Sequence, residues 1–309
     1  MTKSKRRQKK SRFYLFFLVL FLIAALIPFG RRWYRYLFRP AEGIYENVDL
    51  SNALDLTFVD VGQGDCAVLR IGKWSALIDT GVYDAYDSVK ATLETRGIDH
   101  LDAVFISHPH YDHAGCLQSV LLDYPVGHVY FADIPEEFFP TADWYDRILD
   151  TINRKSIPLS ILHAGDRVET DDPGTFFEVL WSGGGSNMNN CSMVLRLNCN
   201  GTHVLFMGDA EREVEEKLIS SDVELSSQIL KVGHHGTRYG THNKFVNIVV
   251  PQYAIISCAK DNEFGYPKDE VLDRLKAVGA AILRTDLQGS VHFVVSEGRI
   301  QYETEENVE

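Results

Sequence analysis

No CxxC pair occurs in this 309-residue chain, and its five cysteines, Cys66, Cys116, Cys191, Cys199 and Cys258, are scattered. That excludes a thiolate zinc site and a disulfide framework, and leaves each cysteine as a small buried core residue. No G-x-S-x-G occurs, which removes the commonest serine-hydrolase signal. The stretch Gly62-Gln63-Gly64-Asp65-Cys66-Ala67 has the spacing of a dinucleotide-binding turn. That motif must open a helix, whereas residues 66–71 alternate like a strand. Residues 182–186 are glycine-rich but carry no lysine, so they form no phosphate loop. Repeats and low-complexity tracts are absent too. Acidic residues are missing from one place: the first 40 positions hold none, against eleven Lys and Arg. The remainder holds twenty basic and 43 acidic residues, a net charge of -23 inside a whole-chain value of -12. A cationic end is therefore joined to a strongly acidic body. With 45% hydrophobic and 24% charged residues, the body has the composition of a folded protein.

Residues 13–29 read FYLFFLVLFLIAALIPF, an uncharged run whose helix would be about 25 Å long at 1.5 Å per residue. Seven basic residues precede it, and Arg31, Arg32, Trp33, Tyr34, Arg35, Tyr36 and Arg39 follow as an aromatic and basic belt. The apolar run is longer than a signal-peptide core and no A-x-A site follows, so it reads as an uncleaved transmembrane helix. Seven basic residues before the span against four after it favour a cytosolic N-terminus and an extracytoplasmic body. The expected partition is a basic leader at 1–12, a membrane anchor at 13–30, a belt and linker at 31–51, and one body at 52–309.

Short β-branched or alternating runs predict strands at 54–61, 66–71, 74–78, 102–107, 176–181, 193–198, 202–207, 229–232, 253–258, near 282, at 291–295 and at 300–302. Helical patterns fall at 86–96, 144–155, 211–219 and 269–278. Two β-rich halves interleaved with helices predict two sheets packed face to face with helices outside.

The chemistry concentrates in Ser107-His108-Pro109-His110-Tyr111-Asp112-His113-Ala114-Gly115. Three histidines and an aspartate in six positions follow a predicted buried strand, where a loop can turn several side chains toward one point. Imidazole and carboxylate donors together suit Zn, Mn or Fe. Asp209 and His234 are further candidates, each at a predicted strand end, because a two-metal site needs ligands beyond one loop. Asp60 and Asp79 also end strands, where a carboxylate orients a ligating histidine as readily as it binds a cation itself.

H-x-H-x-D-H after a strand resembles the signature of the metallo-β-lactamase superfamily, and more narrowly the metallo-β-lactamase-like domain of ComEC-type DNA-uptake competence proteins. The likeness extends over residues 58–65, 77–81, the histidine cluster, 207–211, 230–236 and 283–286. It implies an α/β fold, the αββα sandwich, here preceded by one N-terminal transmembrane helix. It also implies a hydrolase holding one or two divalent metal ions, zinc first and manganese as the alternative. In such sites His108 and His110 would hold one metal, Asp112 and His113 the second, and Asp209 would bridge them. His234 would complete the second metal, with His235 beside it supporting a ligand from behind or donating a proton to a leaving group. Catalysis would then rest on Asp112, Asp209 and His235, with Asp60, Asp79 and Asn190 supporting the ligands. One departure stands out: relatives commonly supply a third histidine to the first metal just before the bridging Asp, and residues 187–199 contain none. Asn190 or a water is the expected substitute, and Tyr266 stands where many relatives carry histidine.

The resulting expectation is a membrane-anchored phosphodiesterase or nuclease using a metal-bound hydroxide. A body of net charge -23 disfavours long nucleic acid as a partner, so a small phosphoester or a choline-bearing wall polymer is the alternative substrate. A non-catalytic partner module of a DNA-uptake or envelope machine is the alternative from another class.

Overall fold

The computed structural model describes residues 53–305. The expected anchor, belt and linker lie outside the described residues. Among those described, no helix is long and apolar enough to cross a membrane.

Fifteen strands follow in chain order: β1 (Leu54–Phe58), β2 (Ala67–Ile71), β3 (Trp74–Ile78), β4 (Leu101–Ile106), β5 (Val126–Ala132), β6 (Leu159–Leu162), β7 (Arg167–Glu169), β8 (Thr175–Trp181), β9 (Val194–Cys199), β10 (Thr202–Phe206), β11 (Ile229–Lys231), β12 (Tyr253–Ile256), β13 (Ala281–Arg284), β14 (Val291–Ser296) and β15 (Arg299–Thr304). They form an eight-stranded sheet, β15-β14-β1-β2-β3-β4-β5-β6, and a seven-stranded sheet, β13-β12-β11-β10-β9-β8-β7. The two sheets are not simply the two halves of the chain. β14 returns to the first sheet and pairs antiparallel with β1 in the register Leu54↔Val295 and Phe58↔Val291.

Side chains alternate across a strand, so each sheet buries two faces. Between the sheets lie Leu54, Leu56 and Phe58 of β1, Ala103 and Phe105 of β4, Phe177 of β8, Phe206 of β10 and Phe293 of β14. Aromatic pairs bridge the gap: Phe105 to Phe177 at 4.8 Å, Phe58 to Phe206 at 5.9 Å and Tyr253 to Phe293 at 5.3 Å between ring centres. Each such pair contributes about 0.5–1.5 kcal/mol beyond area burial. The opposite faces pack on helices. Val104 and Ile106 meet Val89 and Leu93 of α1 (Tyr86–Thr95), Leu117 and Val120 of α3 (Leu117–Asp123), and Ile148 of α4 (Asp143–Lys155); α2 (Tyr111–Ala114) lies between. On the second sheet, Leu205 and Leu230 meet Val214 of α5 (Arg212–Ser220), Phe245 of α6 (Asn243–Val249) and Leu275 of α7 (Asp269–Val278). A short α8 (Thr285–Gln288) follows β13. Helix, sheet, sheet and helix thus make four layers.

β3 runs parallel to β4, and β10, β11 and β12 run parallel to one another. Their carboxyl ends therefore gather at one edge of each sheet, the place where open α/β sheets present loops for chemistry.

Candidate metal centre

The loop after β4 carries His108 and His110, and α2 carries Asp112 and His113. The His113 carbonyl accepts from the Thr80 backbone N–H at 2.6 Å and from the Thr80 hydroxyl at 3.0 Å, which fixes that helix against the end of β3. Asp209 follows β10, and its N–H donates to Ser192 Oγ at 3.0 Å. His234 and His235 follow β11 and both adopt left-handed backbone angles, φ 46° and 53°. Non-glycine residues in that region cost of order 1–3 kcal/mol each, and two in succession mark a place where position outranks local comfort. The His234 N–H donates to the Gly208 carbonyl at 3.0 Å, joining this turn to the Asp209 loop.

The two oxygens of Asp209 face different partners. Oδ2 lies 3.7 Å from His108 Nε2 and 3.7 Å from His234 Nε2. Oδ1 lies 3.2 Å from His113 Nε2 and 3.6 Å from His235 Nε2. His110 Nδ1 stands 2.8 Å from His108 Nε2, on the Oδ2 side. Asp112 Oδ2 stands 3.3 Å from His235 Nε2 and 4.0 Å from His113 Nε2, on the Oδ1 side. His234 and His235 therefore divide between the two sides of Asp209. The expected arrangement, with His234 beside Asp112 and His113, differs: His235 holds that place.

Four histidines are fixed from behind at Nδ1. His113 meets Asp79 Oδ2 at 2.8 Å, His234 meets Glu211 Oε1 at 2.9 Å, and His235 meets the Ser257 carbonyl at 2.9 Å. His108 meets the hydroxyls of Ser107 and Ser192, each at 3.2 Å. Asp79 is itself held, accepting from the Ser107 N–H and hydroxyl at 2.7 Å each. With Nδ1 occupied, every Nε2 points inward, the arrangement that supports metal-ligating imidazoles.

The donor set fits a divalent cation on its own chemistry. His113 Nε2, His235 Nε2 and Asp209 Oδ1 are buried with no hydrogen-bond partner, an expensive condition unless a further group binds them. Donor atoms of His108, His113 and Asp209 lie within 4.8 Å of one another, as do those of Asp112, His113 and His235. Electrostatics agree. Burial pushes the His108 and His110 pKa values down, keeping these rings neutral and able to ligate. Burial also opposes charge on Asp209 and Asp112, yet the surrounding imidazoles win, holding Asp209 well below the carboxylate range and Asp112 down at about 2. His113 and His235 resist their own burial because Asp209 and its neighbours raise them, His235 to about 10. With the His113 and His235 pKa values raised, a cation on the Oδ1 side would have to displace protons from both rings.

Two supporting residues sit differently from expectation. Asp60 Oδ1 accepts from the Gly62 N–H at 3.0 Å, and its own N–H donates to Ser290 Oγ at 3.0 Å. It caps a turn and takes part in none of the donor groups. Asn190 does not stand in for the absent histidine. Its Oδ1 accepts from the Glu211 backbone N–H at 3.0 Å and its Nδ2 donates to the Glu213 carboxylate at 3.2 Å, so it anchors the backbone of the residue whose side chain meets His234. Sequence reasoning missed Ser107, Ser192 and Glu211, which are ordinary residues made functional by what they touch. It also missed Asp65, although that residue stands in a quoted block.

Four layers, with a histidine and aspartate cluster divided about one carboxylate at the sheet edge, define an αββα sandwich with a candidate metal centre. Residues 59–260 match the metallo-beta-lactamase superfamily, and the chain belongs to it. ComE operon protein 3 of Bacillus subtilis (strain 168) is 27% identical over 264 residues, covering 79% of this chain and 33% of that protein. Competence protein ComA of Neisseria gonorrhoeae is 30% identical over 256 residues, covering 81% of this chain and 33% of that protein. The chain thus spans about a third of the length of these curated relatives. Zn(2+)-bound PqqB from Methylobacterium extorquens shares the fold, with a TM-score of 0.51 at 10% identity over 74% of this chain and 97% of that one.

Proposed function

We propose that this chain is a membrane-anchored, metal-dependent phosphoester hydrolase with its acidic body outside the cytosol. His108, His110, Asp209 Oδ2 and His234 hold a first cation. Asp112, His113, Asp209 Oδ1 and His235 hold a second. The division of Asp209, one oxygen to each set, is the observation that carries this reading. On it, His234 makes good the histidine missing from residues 187–199. His235, with Nε2 turned into the centre, is a ligand rather than a proton donor to the leaving group.

Divalent cations at these two positions would supply Lewis-acid polarisation of a phosphoryl oxygen and acidify an attacking water. The chain's residues supply the geometry. Asp209 fixes the separation of the two sets. Asp79, Glu211 and the Ser257 carbonyl turn three imidazoles inward. Asp112, with its side chain 31% exposed against 2% for Asp209, is the more exposed carboxylate of the two sets. Imidazole with carboxylate suits zinc, with manganese as the more oxygen-tolerant alternative.

The name of one curated relative, competence protein ComA, supports a place in a competence system, and a net charge of -23 outside the first 40 residues opposes a grip on long duplexes. Strand ends and short single strands are therefore the first substrate class, and small phosphoesters the second. Hydrolysis of bis-p-nitrophenyl phosphate by the zinc- or manganese-loaded chain, with His110→Ala as control, tests the chemistry. Repeating it with oligonucleotides from low to high salt separates the classes, because only the polyanion loses binding steeply. A loaded wild-type chain no faster than His110→Ala on every ester removes the hydrolase reading. For the anchor, a membrane-impermeant reagent that labels residues 1–12 from outside the cell reverses the topology.

A further inference from the structure

Asp65 and Lys231 belong to neither ligand set, yet both press against the second. They come from opposite sheets, Asp65 from the turn between β1 and β2 and Lys231 from the end of β11. Lys231 Nζ lies 2.7 Å from Asp65 Oδ2, with the side chains 5% and 6% exposed. Lys231 also donates to the Val232 carbonyl at 3.0 Å. The other carboxylate oxygen, Asp65 Oδ1, is buried without a hydrogen-bond partner and stands 3.4 Å from His235 Nδ1. The Asp65 N–H donates to the Asp112 carbonyl at 3.1 Å. A Cβ on the adjoining Gly64 would run into that same carbonyl, so only glycine lets the turn approach so closely. Donor atoms of Asp65, Asp79 and His113 also lie within 4.8 Å of one another. One residue thus reaches the supports of Asp112, His113 and His235 together.

A buried ion pair is a poor way to gain stability, because desolving two charges offsets most of their attraction and apolar residues of similar size pack as well. Its location supplies another use. We propose that Asp65 and Lys231 form a positioning pair for the second half of the centre: Asp65 holds the Asp112 loop and the Nδ1 face of His235, and Lys231 fixes where the carboxylate points. Between the Ser257 carbonyl and Asp65 Oδ1, His235 Nδ1 faces two acceptors. The neutral ring then carries its proton on Nδ1 and keeps the Nε2 lone pair for a cation. This inference rests on the reading that the second half binds a divalent metal.

Zinc titration of the metal-stripped full chain, kept in detergent, reads the pair directly. Wild type is expected to take up two zinc ions in two steps. Asp65→Asn should keep one step and weaken the other about 10- to 100-fold, the usual cost of losing a group that orients a ligand. Adding His110→Ala should then remove the step that remained, which places the damage on the second half. Asp65→Asn with Lys231→Met removes the charge imbalance; its unfolding temperature should exceed that of Lys231→Met while the weak step stays weak. Where Asp65→Asn alone fails to fold, this double variant carries the test. Both steps within twofold of wild type in Asp65→Asn, or both restored in the double variant, would reduce the pair to packing and overturn the proposal. A wild-type chain that binds no zinc would instead overturn the metal reading, and this inference with it.

Discussion

Behind His113 stands the buried carboxylate of Asp79, behind His235 stand the Ser257 carbonyl and Asp65, and both rings are sealed from solvent. Behind His108 stand two serine hydroxyls, while His110 and His234 reach partly into water. On that side only His234 has a carboxylate at its back, Glu211, itself 18% exposed. The two halves share Asp209 and differ in almost everything behind their imidazoles. Carboxylate-backed imidazoles are the more basic ligands, so the Asp112, His113 and His235 half should bind its cation tightly and the His108, His110 and His234 half more loosely.

The largest effect belongs to the shared residue. Asp209→Ala should empty both halves and bring phosphodiester hydrolysis to the uncatalysed rate, checked by metal analysis of the purified chain beside the assay. Next in size, Asp79→Ala should weaken the tighter cation about 10- to 100-fold in a competitive chelator titration, whereas Ser192→Ala should weaken the looser one by less than about tenfold. Equal losses in the two variants would break the contrast between the halves.

A third expectation concerns protons. The His235 pKa is raised in the folded chain to about 10, so its proton stabilises the metal-free fold fully below the unfolded value of about 6.5. That stabilisation fades as pH rises through about 10. Zinc must displace the same proton, so affinity for the second half should climb with pH across this window while metal-free thermal stability declines. Chelator titrations and unfolding scans between pH 6.5 and 9.5 read both slopes, and the looser half, where only His234 is raised while burial lowers His108 and His110, should show the shallower one. The smallest effect is expected from Glu211→Gln, about tenfold or less and confined to the looser cation. Loss at the tighter cation in that variant would show that the halves are not independent.

The strands lining the centre were legible because their apolar runs are β-branched and bounded by glycine turns, as in Leu54–Phe58 and Thr202–Phe206. β6 was not, since Leu159–Leu162 is a four-residue strand at the edge of its sheet with two of four residues exposed. Nor was α3, whose seven residues follow the histidine loop without a side-chain cap to announce them. At the centre, the residue types that gather round Asp209 were readable from H-x-H-x-D-H and the two later loops. Which of His234 and His235 faces which oxygen of Asp209 was not, because both stand at an αL turn whose backbone angles no motif announces. Lys231 looked like the end of an apolar strand, and its partner lies across the sandwich.

The antiparallel seam between β1 and β14 also bears on how the chain is made. Asp60 and Ser290, which bond across the end of that seam, are 230 residues apart. At synthesis rates of 5–20 residues per second, β1 waits about 10–50 seconds for its neighbour to leave the ribosome. During that interval its outer edge offers unpaired N–H and C=O groups to any passing strand. The first sheet can therefore close along this seam only after nearly the whole body has been synthesised.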